Sequence, residues 1–434
     1  MRTDGAATRA PALFLLLGCA SAAAAPRSLT LAEALQLARR GNLELRQSAL
    51  AVDRARIAAR GALGALGPRL RLDANVTEWN DRFVLDIGSV PFLVREAFTS
   101  TVTLSGTQPL SGLFPRVERY RASADERGAA EQDHAAARAD LALHATLAYL
   151  RLLEAIDVQR VAAQAVADAT EQSERTRALV ADGRLIDADL LRAQVALARA
   201  RQEQLAADEQ AAIARATLAA VIGLPVDSDL SPAPVDLEHL PPLPERIAPD
   251  LDGARSRPEV RAAQARARAA QAAQRAAIGD MLPSVDVAGG YQNTAGQSFF
   301  PTNAGYVSGL IGWDFWEWGT RYAMVGVERT RTEEAALEVQ RRQRDVALEV
   351  TTRFVEARSA RAALDVARAA VAQAEEAYRV MGALRDNGRA TTTDLLDAQL
   401  AKVRARVDVT RAAYRYLVAH AAFERAVGVE PGPR

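Results

Sequence analysis

The residues best suited to metal or nucleophilic chemistry are few in this sequence and lie far apart. His134 and His144 are ten residues apart, not the three or four that place two side chains on one face of a helix. The other histidines, His239 and His420, stand alone. The sequence also lacks phosphate-binding glycine loops, nucleophile elbows and zinc-type cysteine spacings. This pattern predicts no enzyme, no metal site and no cofactor.

The single cysteine, Cys19, lies in a segment that is typical of exported proteins. Arginines precede an apolar stretch at residues 12–18, and a run of small residues follows it. This order predicts a signal peptide over residues 1–25. Two forms of processing are open. The run of alanines favours cleavage after Ala24, whereas the sequence LLGC resembles a lipoprotein box that would place lipid on Cys19.

The composition favours long helices and argues against nucleic acid as a partner. Of the 434 residues, 25% are charged, 49% are hydrophobic and only 5% are aromatic, while alanine and arginine are abundant. Alanine is the strongest helix former, and a formal net charge of zero offers no basic surface for phosphates. After the signal segment there is no apolar run of about 18 residues, so we expect no membrane-spanning helix.

The sequence contains two copies of one unit. Residues 42–76 align with 257–291, and residues 141–224 align with 346–429, each pair at a constant offset. Proline, glycine, aspartate and glutamine positions match without gaps in these blocks. Such self-similarity indicates a duplicated architecture.

The positions of the prolines separate the two copies. None occurs from 116 to 224 or from 302 to 430, whereas eight of the eighteen lie between 225 and 258, which predicts a connector there. Each copy is then a helix, a β-hairpin, a long helix and a shorter helix. The predicted bounds are 29–224 for the first repeat with its hairpin at 69–110, 225–258 for the linker, and 259–429 for the second repeat with its hairpin at 284–316.

Each long helical region is interrupted once by a turn. The sequences DGR at 182–184 and DNGR at 386–389 are rich in aspartate, asparagine and glycine, which favour turns. Short polar side chains just after these turns are expected to cap the next helix. The candidates are Asp187 or Asp189 in the first copy and Thr393 or Asp394 in the second. In the first copy, helices are predicted over 31–66, 116–181 and 187–222.

The two hairpins show the pattern of outer-membrane strands. Residues 69–79 and 284–292 alternate apolar and polar side chains, and the windows 70–114 and 284–322 hold 14 of the 22 aromatic residues. Alternation over about ten residues with aromatic edges is typical of membrane strands. The alternative is a hairpin of a soluble protein, with one face exposed to solvent.

Four strands from one chain are too few to close a pore-sized barrel. An open sheet in lipid would leave backbone groups unpaired, which costs several kcal/mol for each group. Other copies of the chain must therefore complete the sheet. Three protomers in a symmetric ring would supply twelve strands.

Four segments carry a specific resemblance to the TolC-like outer-membrane efflux family. LTLAEA at 29–34 is similar to the family's opening helix, and LPS at 282–284 is similar to the start of its second barrel hairpin. WDFWEWG at 313–319 resembles its strand-to-helix exit, and residues 387–399 resemble its second periplasmic turn. These matches follow the order and the duplication of the family, and the resemblance covers about residues 29–428.

The resemblance implies a fold that is mainly α with membrane β: a trimeric 12-stranded β-barrel plus a long α-helical periplasmic barrel, with two structural repeats per chain. It implies an outer-membrane protein that extends into the periplasm and acts as the passive channel of a tripartite efflux or export system. The implied partners are two further copies of the chain, a periplasmic adaptor, an inner-membrane pump and outer-membrane lipid.

The resemblance also implies a gate at the periplasmic end of the helices. Asp394 and Asp397 match acidic residues on the helix after the family's second turn. Three copies of each would form stacked acidic rings, which select for cations and can be blocked by them. Capping of its own helix is the alternative role for Asp394, and the two roles are compatible.

Two positions depart from the family pattern. The first-repeat exit at 109–116 lacks the usual glycine-arginine ending, and an arginine that links neighbouring helices in some members falls on Ala390. Arg385 and Arg389 are the arginines nearest to that position, and either could hold the gate closed by an ion pair. Their candidate partners across the turns are Asp187 and Asp189.

A periplasmic adaptor of such a pump is the main alternative function, and a soluble helical scaffold is a second one. An adaptor should contain one helical hairpin with a soluble β module around it. This sequence instead has two equal repeats with aromatic-edged hairpins, which favours the channel.

Overall fold

The structure is a computed structural model and describes residues 28–245 and 256–429. The predicted signal peptide and Cys19 lie outside these residues, as does part of the predicted linker. The described chain contains helices and one antiparallel sheet, in two successive copies of the same order of elements. In each copy, helix is followed by strands, then by a long helix and a shorter one.

Helices make up most of the described chain. Their bounds are α1 Leu31–Gly41, α2 Leu43–Gly64, α3 Leu113–Ala181, α4 Asp187–Val221, α5 Pro258–Gly279, α6 Thr320–Asp386 and α7 Thr392–Ala426. The long helices α3 and α6 contain 69 and 67 residues, so each is roughly 100 Å long. α2 and α4 pack along α3, and α5 and α7 pack along α6. Among the described helices, none combines the length and apolar character needed to cross a membrane.

The first helical segment is two helices, whereas the sequence predicted one helix over 31–66. Asn42 ends α1 with extended backbone angles, and its side chain accepts a hydrogen bond from the N–H of Leu45 at 2.9 Å, which caps α2. Two backbones touch at this break. A Cβ on Gly223, which follows α4 with φ +77°, would lie 2.7 Å from the carbonyl carbon of Gly41. The break therefore lies where α4 meets α1, at a contact that requires glycine.

The strands of both copies join in one sheet. They are β1 Arg69–Glu78, β2 Phe83–Ile87, β3 Val90–Pro109, β4 Ser284–Gln297 and β5 Asn303–Gly312. The order is β1-β3-β4-β5, and β2 extends the first hairpin beyond the end of β1 by pairing with β3. Pairing of β3 with β4 unites the two repeats.

The two faces of the sheet differ in chemistry. The strand registers place apolar residues on one face, and their side chains are exposed. They are Leu70, Leu72, Val76, Val102, Leu104, Val287, Tyr291, Val307 and Ile311. The opposite face is mostly polar and includes Arg71, Asp73, Thr101, Thr103, Gln292 and Thr294. This is the alternation that the sequence predicted, with the apolar face left uncovered by the chain itself.

Each repeat has its own small hydrophobic core near the middle of its long helix. In the first repeat, Tyr149 is buried, and its hydroxyl donates to the carbonyls of Leu29 and Ala233 at 3.0 and 2.8 Å. In the second, the ring centroids of Phe354 and Phe423 lie 5.7 Å apart. Most of the other buried apolar positions are alanine, so the helices approach closely and form a thin layer.

Candidate functional site

The candidate gate lies at the ends of the long helices farthest from the sheet. α3 and α6 end in the same kind of turn, in which Gly183 and Gly388 have φ near +70°. The N–H groups of Gly183 and Arg184 bond back to the last turn of α3, and those of Gly388 and Arg389 bond back to α6. Glycine at this position closes a helix without steric strain. The turns therefore place the starts of α4 and α7 at the same end of the molecule.

A capping box fixes the start of α7. Thr391 is the N-cap, and its hydroxyl accepts from the N–H of Asp394 at 3.1 Å, while the Asp394 carboxylate accepts from the N–H and hydroxyl of Thr391 at 2.8 and 2.7 Å. These hydrogen bonds from Thr391 hold the pKa of Asp394 below its usual range. Asp394 is exposed and carries its negative charge at the positive end of the helix dipole.

The predicted caps are corrected in both copies. In α7, the N-cap is Thr391 rather than Thr393, with Asp394 completing the box from the third helical position. In α4, the N-cap is Ile186, which makes no side-chain cap, so neither Asp187 nor Asp189 serves as one. Asp394 therefore takes part in capping α7, as the acceptor from the N–H of Thr391, whereas Thr393, Asp187 and Asp189 do not cap their helices.

Asp397 is exposed one turn beyond Asp394 on α7. It makes no hydrogen bond or ion pair with any residue that the structure describes. In the repeat alignment, Asp394 matches Asp189 and Asp397 matches Arg192. The first copy therefore carries an acid and a base, joined by a 3.4 Å contact from Arg192 to Asp189, where the second copy carries two acids.

Arg385 and Arg389 make no ion pair with Asp187 or Asp189 within one described chain. Arg389 is exposed. Both terminal nitrogens of Arg385 are covered, yet neither has a hydrogen-bond partner among the described residues. Burial, and then the nearby charge of Arg175, hold the pKa of Arg385 below its usual range. The N–H groups of this guanidinium are therefore buried near the turns without acceptors in the described chain.

One ion pair that the sequence did not suggest joins the two turn regions. Arg175 near the end of α3 donates to Asp386 at the end of α6 at 2.8 Å. Both side chains are about half-exposed, so the pair contributes at most about 1 kcal/mol. It sets the position of the turns relative to each other more than it stabilises them.

A second ion pair, between α7 and α3, is more buried. Lys402 of α7 donates to Asp168 of α3 at 2.9 Å, and its Nζ lies 4.3 Å from the ring centroid of Tyr378 on α6. Burial raises the pKa of Asp168, but hydrogen bonds from Lys402 and Gln164 outweigh it and lower that pKa. Lys402 is the only lysine in the sequence, which is a signal that sequence reasoning missed.

A larger charge cluster joins the repeats near the middle of the wall. Arg257 donates to Glu259 and to Glu349, the latter at 2.7 Å, and Arg425 donates to Glu259 and to Asp140, the latter at 2.7 Å. Both arginines are almost fully buried. Burial raises the pKa of Glu259, but the hydrogen bonds from the two arginines outweigh it and lower the pKa to about 2. We call these five residues the mid-wall charge cluster.

A groove of about 490 Å³ runs beside the candidate gate between α4 and α7, with α3 beneath it. Its lining combines apolar and charged side chains. The lining includes Leu191, Val195, Arg199, Leu396, Asp397 and Leu400. Leu191 and Val195 are more than half exposed, so the groove is open along its length.

The sequence matches a known protein family over both repeats. The model of a family described as outer membrane efflux protein matches residues 34–224 and 254–429. No curated protein matches the sequence.

The fold is similar to those of solved outer-membrane proteins. VceC from Vibrio cholerae matches with a TM-score of 0.80 and 20% identity, over 93% of this chain and 97% of that chain. The outer membrane channel CmeC from Campylobacter jejuni matches with a TM-score of 0.78 and 17% identity, over 93% and 87% of the two chains. The outer membrane channel MtrE from Neisseria gonorrhoeae, in its open state, matches with a TM-score of 0.79 and 20% identity, over 92% and 89%.

Proposed function

Because the chain belongs to the outer membrane efflux protein family, we propose that three copies of it assemble into one continuous channel. Family membership confirms the resemblance found in the sequence. The protein is the outer-membrane channel of a tripartite efflux system and extends into the periplasm. The trimer, the gate and the docking surface described next are proposals.

The unpaired edge strands of the sheet are the observation that supports assembly into a trimer. β1 and β5 each pair with one neighbour, and neither has a second neighbour among the described residues. The sheet carries an exposed apolar face, which suits lipid, and unpaired backbone groups are costly there. Pairing β1 of one copy with β5 of the next closes a sheet of twelve strands, with the polar face lining the lumen.

We place the gate at Asp394 and Asp397. Thr391 holds Asp394 in the ionised form, and Asp397 has no neutralising partner in the described chain. In a trimer, these side chains form two rings of negative charge, about one helical turn apart. Such rings favour cations and slow the passage of anions.

Arg385 is the gate-linking residue that the geometry favours over Arg389. Its terminal nitrogens are covered and lack acceptors in the described chain, and a buried unpaired donor is costly. A carboxylate that reaches it in the closed assembly would relieve that cost, and Asp189 and Asp187 are the candidates. When the channel opens, this contact would be lost and water would solvate the Arg385 guanidinium.

The channel acts as a passive conduit without catalysis. The polar face of the sheet and the acidic rings offer electrostatic selection instead. Conduction needs no bond to form or break.

The groove between α4 and α7 is the proposed contact for the periplasmic adaptor. It lies between two helices, and its mixed apolar and charged lining suits an α-helical hairpin laid into it. Asp397 lines the same groove, so an adaptor helix seated there would act directly on a gate residue. The inner-membrane pump would reach the channel through this adaptor.

The proposed function is tested by recording single channels from the purified, detergent-extracted protein in planar bilayers, with its oligomeric mass measured alongside. A trimer with discrete cation-selective openings is the expected result. The double variant Asp394→Asn with Asp397→Asn should raise the conductance and weaken block by multivalent cations, because the amides remove both charges while the capping hydrogen bonds persist.

Asp408→Asn is the matched control, since Asp408 is an exposed acid farther along the same helix. It should leave conductance and block unchanged. If the double variant behaves like this control, the gate lies elsewhere. A monomer with no conductance would exclude the channel and favour the adaptor.

A further inference from the structure

A row of helices continues from the sheet in each chain. α2 packs along α3, α3 along α5, and α5 along α6, so α2 and α6 are the outer helices of the row. The contact of α3 with α5, here called the repeat interface, continues the pairing of β3 with β4, because α3 follows β3 and α5 precedes β4. The proposed pairing of β1 with β5 of the next copy would bring α2 against α6 of that copy in the same way. We call this second contact the copy interface.

The repeat interface has the heptad spacing of an antiparallel coiled coil. Its α5 side is buried and consists of small residues at intervals of three and four: Ala262, Ala265, Ala269, Ala272, Ala276 and Gly279. On α3, the buried residues Pro115, Ala129 and Ala136 recur at multiples of seven. A Cβ on Gly279 would lie 3.2 Å from the Cβ of Pro115, and this close approach fixes the register of the two helices.

Ion pairs run along the edges of the repeat interface. Arg275 donates to Glu118 at 2.8 Å, and Arg268 donates to Asp125 at 3.0 Å, so in both pairs α5 supplies the base and α3 the acid. Small side chains at the centre and opposite charges at the edges together make α3 and α5 complementary.

The matching positions of the outer helices are exposed. The alignment of 42–76 with 257–291 carries the six small residues of α5 onto α2, where every one of their counterparts is exposed: Gln47, Leu50, Arg54, Ile57, Gly61 and Gly64. The alignment of 141–224 with 346–429, continued along the two uninterrupted long helices, carries the α3 side of the heptad pattern onto α6. The counterparts there are exposed as well: Ala323, Val327, Thr330, Glu334, Leu337 and Arg341. Each outer helix thus shows solvent the face that its counterpart buries within the chain.

The register of the repeat interface predicts which residues meet in the copy interface. Gly279 opposite Pro115 becomes Gly64 opposite Thr320 of the neighbouring copy. Seven residues farther along both helices, Ile57 lies opposite Val327, and these side chains are 66% and 51% exposed in the single chain. Their contact would remove apolar surface from water on both sides.

Two charges near the centre of this pattern have no partner within the chain. Arg54 and Glu334 are exposed, and neither side chain makes a hydrogen bond or an ion pair with another described residue. They match Ala269 and Ala129, which are 3% and 1% exposed in the repeat interface. In the same register, Arg54 lies about one helical turn from Glu334 of the neighbouring copy, within reach of these long side chains. The copy interface therefore places opposite charges where the repeat interface has two alanines.

We propose that α2 of one copy and α6 of the next form an antiparallel coiled coil in this register, with Arg54 paired to Glu334 of the neighbouring copy. The pair makes each outer helix specific for a second copy of the same chain, because a partner without the opposite charge would leave a buried charge unpaired. The proposal rests on the trimer proposed above and names the residues by which one copy recognises the next. It does not depend on the gate.

Charge reversal tests the pair in the purified, detergent-solubilised protein. Dissociation of the trimer on dilution is followed by mass. Arg54→Glu and Glu334→Arg should each weaken association at least about tenfold, because like charges would then face each other across the interface. The double variant should recover most of this loss. Arg329→Glu is the control, since Arg329 is an exposed residue of α6 that matches none of the buried positions of the repeat interface, and it should change association little.

Cysteine cross-linking tests the register independently of the charges. Ile57→Cys combined with Val327→Cys should form disulfides between neighbouring copies under mild oxidation. Ile57→Cys combined with Leu337→Cys places the thiols about 15 Å apart along the helices and should not. Ile57→Cys alone controls for any other thiol.

Each contrary result overturns a different part of the proposal. Reversed charges that leave a stable parent-like trimer, or a double variant no stronger than the single ones, would remove the pair while the trimer stands. Cross-linking through Leu337→Cys instead of Val327→Cys would show a different register. A parent protein that is monomeric would remove the trimer itself, and with it both the channel and the copy interface.

Discussion

Single residues set the closest approaches in this molecule. Gly223 and Gly428 occupy matching positions after the last helix of each repeat, with φ of +77° and +87°. A Cβ on Gly223 would lie 2.7 Å from the backbone of Gly41, whereas a Cβ on Gly428 would lie 3.6 Å from the Cγ of Arg257, an ordinary van der Waals distance. Gly223 is therefore required both by its positive φ and by its close contact with Gly41, whereas Gly428 is required only by its positive φ.

Gly223→Ala should lower the free energy of unfolding by about 2–4 kcal/mol, because it adds a clash with Gly41 to the cost of the left-handed backbone. Gly428→Ala should lower it by about 1–2 kcal/mol, from the backbone alone. Thermal unfolding of the detergent-solubilised trimer measures both. Gly128→Ala, in an open stretch of α3 with nothing within 4 Å of the added Cβ, is the control and should not destabilise. Equal losses at Gly223 and Gly428 would contradict the steric argument.

At the scale of elements, α3 is the common neighbour of helices from both repeats. Alanine is common at the buried positions of these helices. A few side-chain hydrogen bonds and ion pairs therefore fix the positions of the helices relative to one another. Tyr414 of α7 donates to Asp157 of α3 at 2.6 Å, and burial, then this hydrogen bond, raise the pKa of Tyr414. Lys402 donates to Asp168 nearer to the turns. These ties hold α7, which carries the candidate gate, against the first repeat.

Lys402→Met should destabilise the protein by about 1–3 kcal/mol, because it leaves a largely buried carboxylate without its cation. Adding Asp168→Asn should restore part of this loss, since the uncompensated charge is then removed. The unfolding midpoint in detergent measures the two variants. Arg379→Met, which breaks an exposed pair with Glu376, is the control and should change little. A double variant no more stable than Lys402→Met would show that packing, not charge, carries the effect.

At the scale of the whole molecule, the mid-wall charge cluster unites α3 of the first repeat with three helices of the second. Its three acids and two arginines carry one net negative charge; both arginines are almost fully buried, whereas Asp140 and Glu349 are partly exposed. The arginines lower the pKa of Glu259 to about 2 from a value of 4.5. Because the folded pKa is depressed, the stabilisation is fully present above pH 4.5 and is lost as the pH falls toward 2.

Unfolding midpoints measured between pH 7 and pH 3 should therefore fall as Glu259 takes up a proton. The lowered pKa corresponds to about 3 kcal/mol over the full range from above pH 4.5 to below pH 2, and about 2 kcal/mol of this is lost by pH 3. Glu259→Gln should be less stable at pH 7 and should lose less of its stability on acidification. Glu356→Gln, at an exposed pair with Arg353, is the control and should follow the parent protein. A parent-like pH dependence in Glu259→Gln would assign the acid sensitivity to other carboxylates.

Local patterns predicted much of the fold and part of the candidate site. The period-two alternation of β1 and β4, the glycine turns after α3 and α6 and the family-like segments all depend on short stretches of chain. The break at Asn42 lies beside a contact between Gly41 and Gly223, two residues far apart in the chain, and no short stretch of sequence reveals that contact. The cap at Thr391 was missed although the capping box that it forms with Asp394, three residues later, is itself a local pattern.

The sequence by itself determined the duplicated architecture, the family and the acidic character of α7, because repetition, alternation and charge are properties of the chain. Only the tertiary structure decided which groups meet. It brought Lys402 to Asp168, left Arg385 covered without an acceptor in the described chain, and assembled the mid-wall charge cluster. These contacts join residues that lie far apart in the sequence, and their partners are selected by packing rather than by spacing.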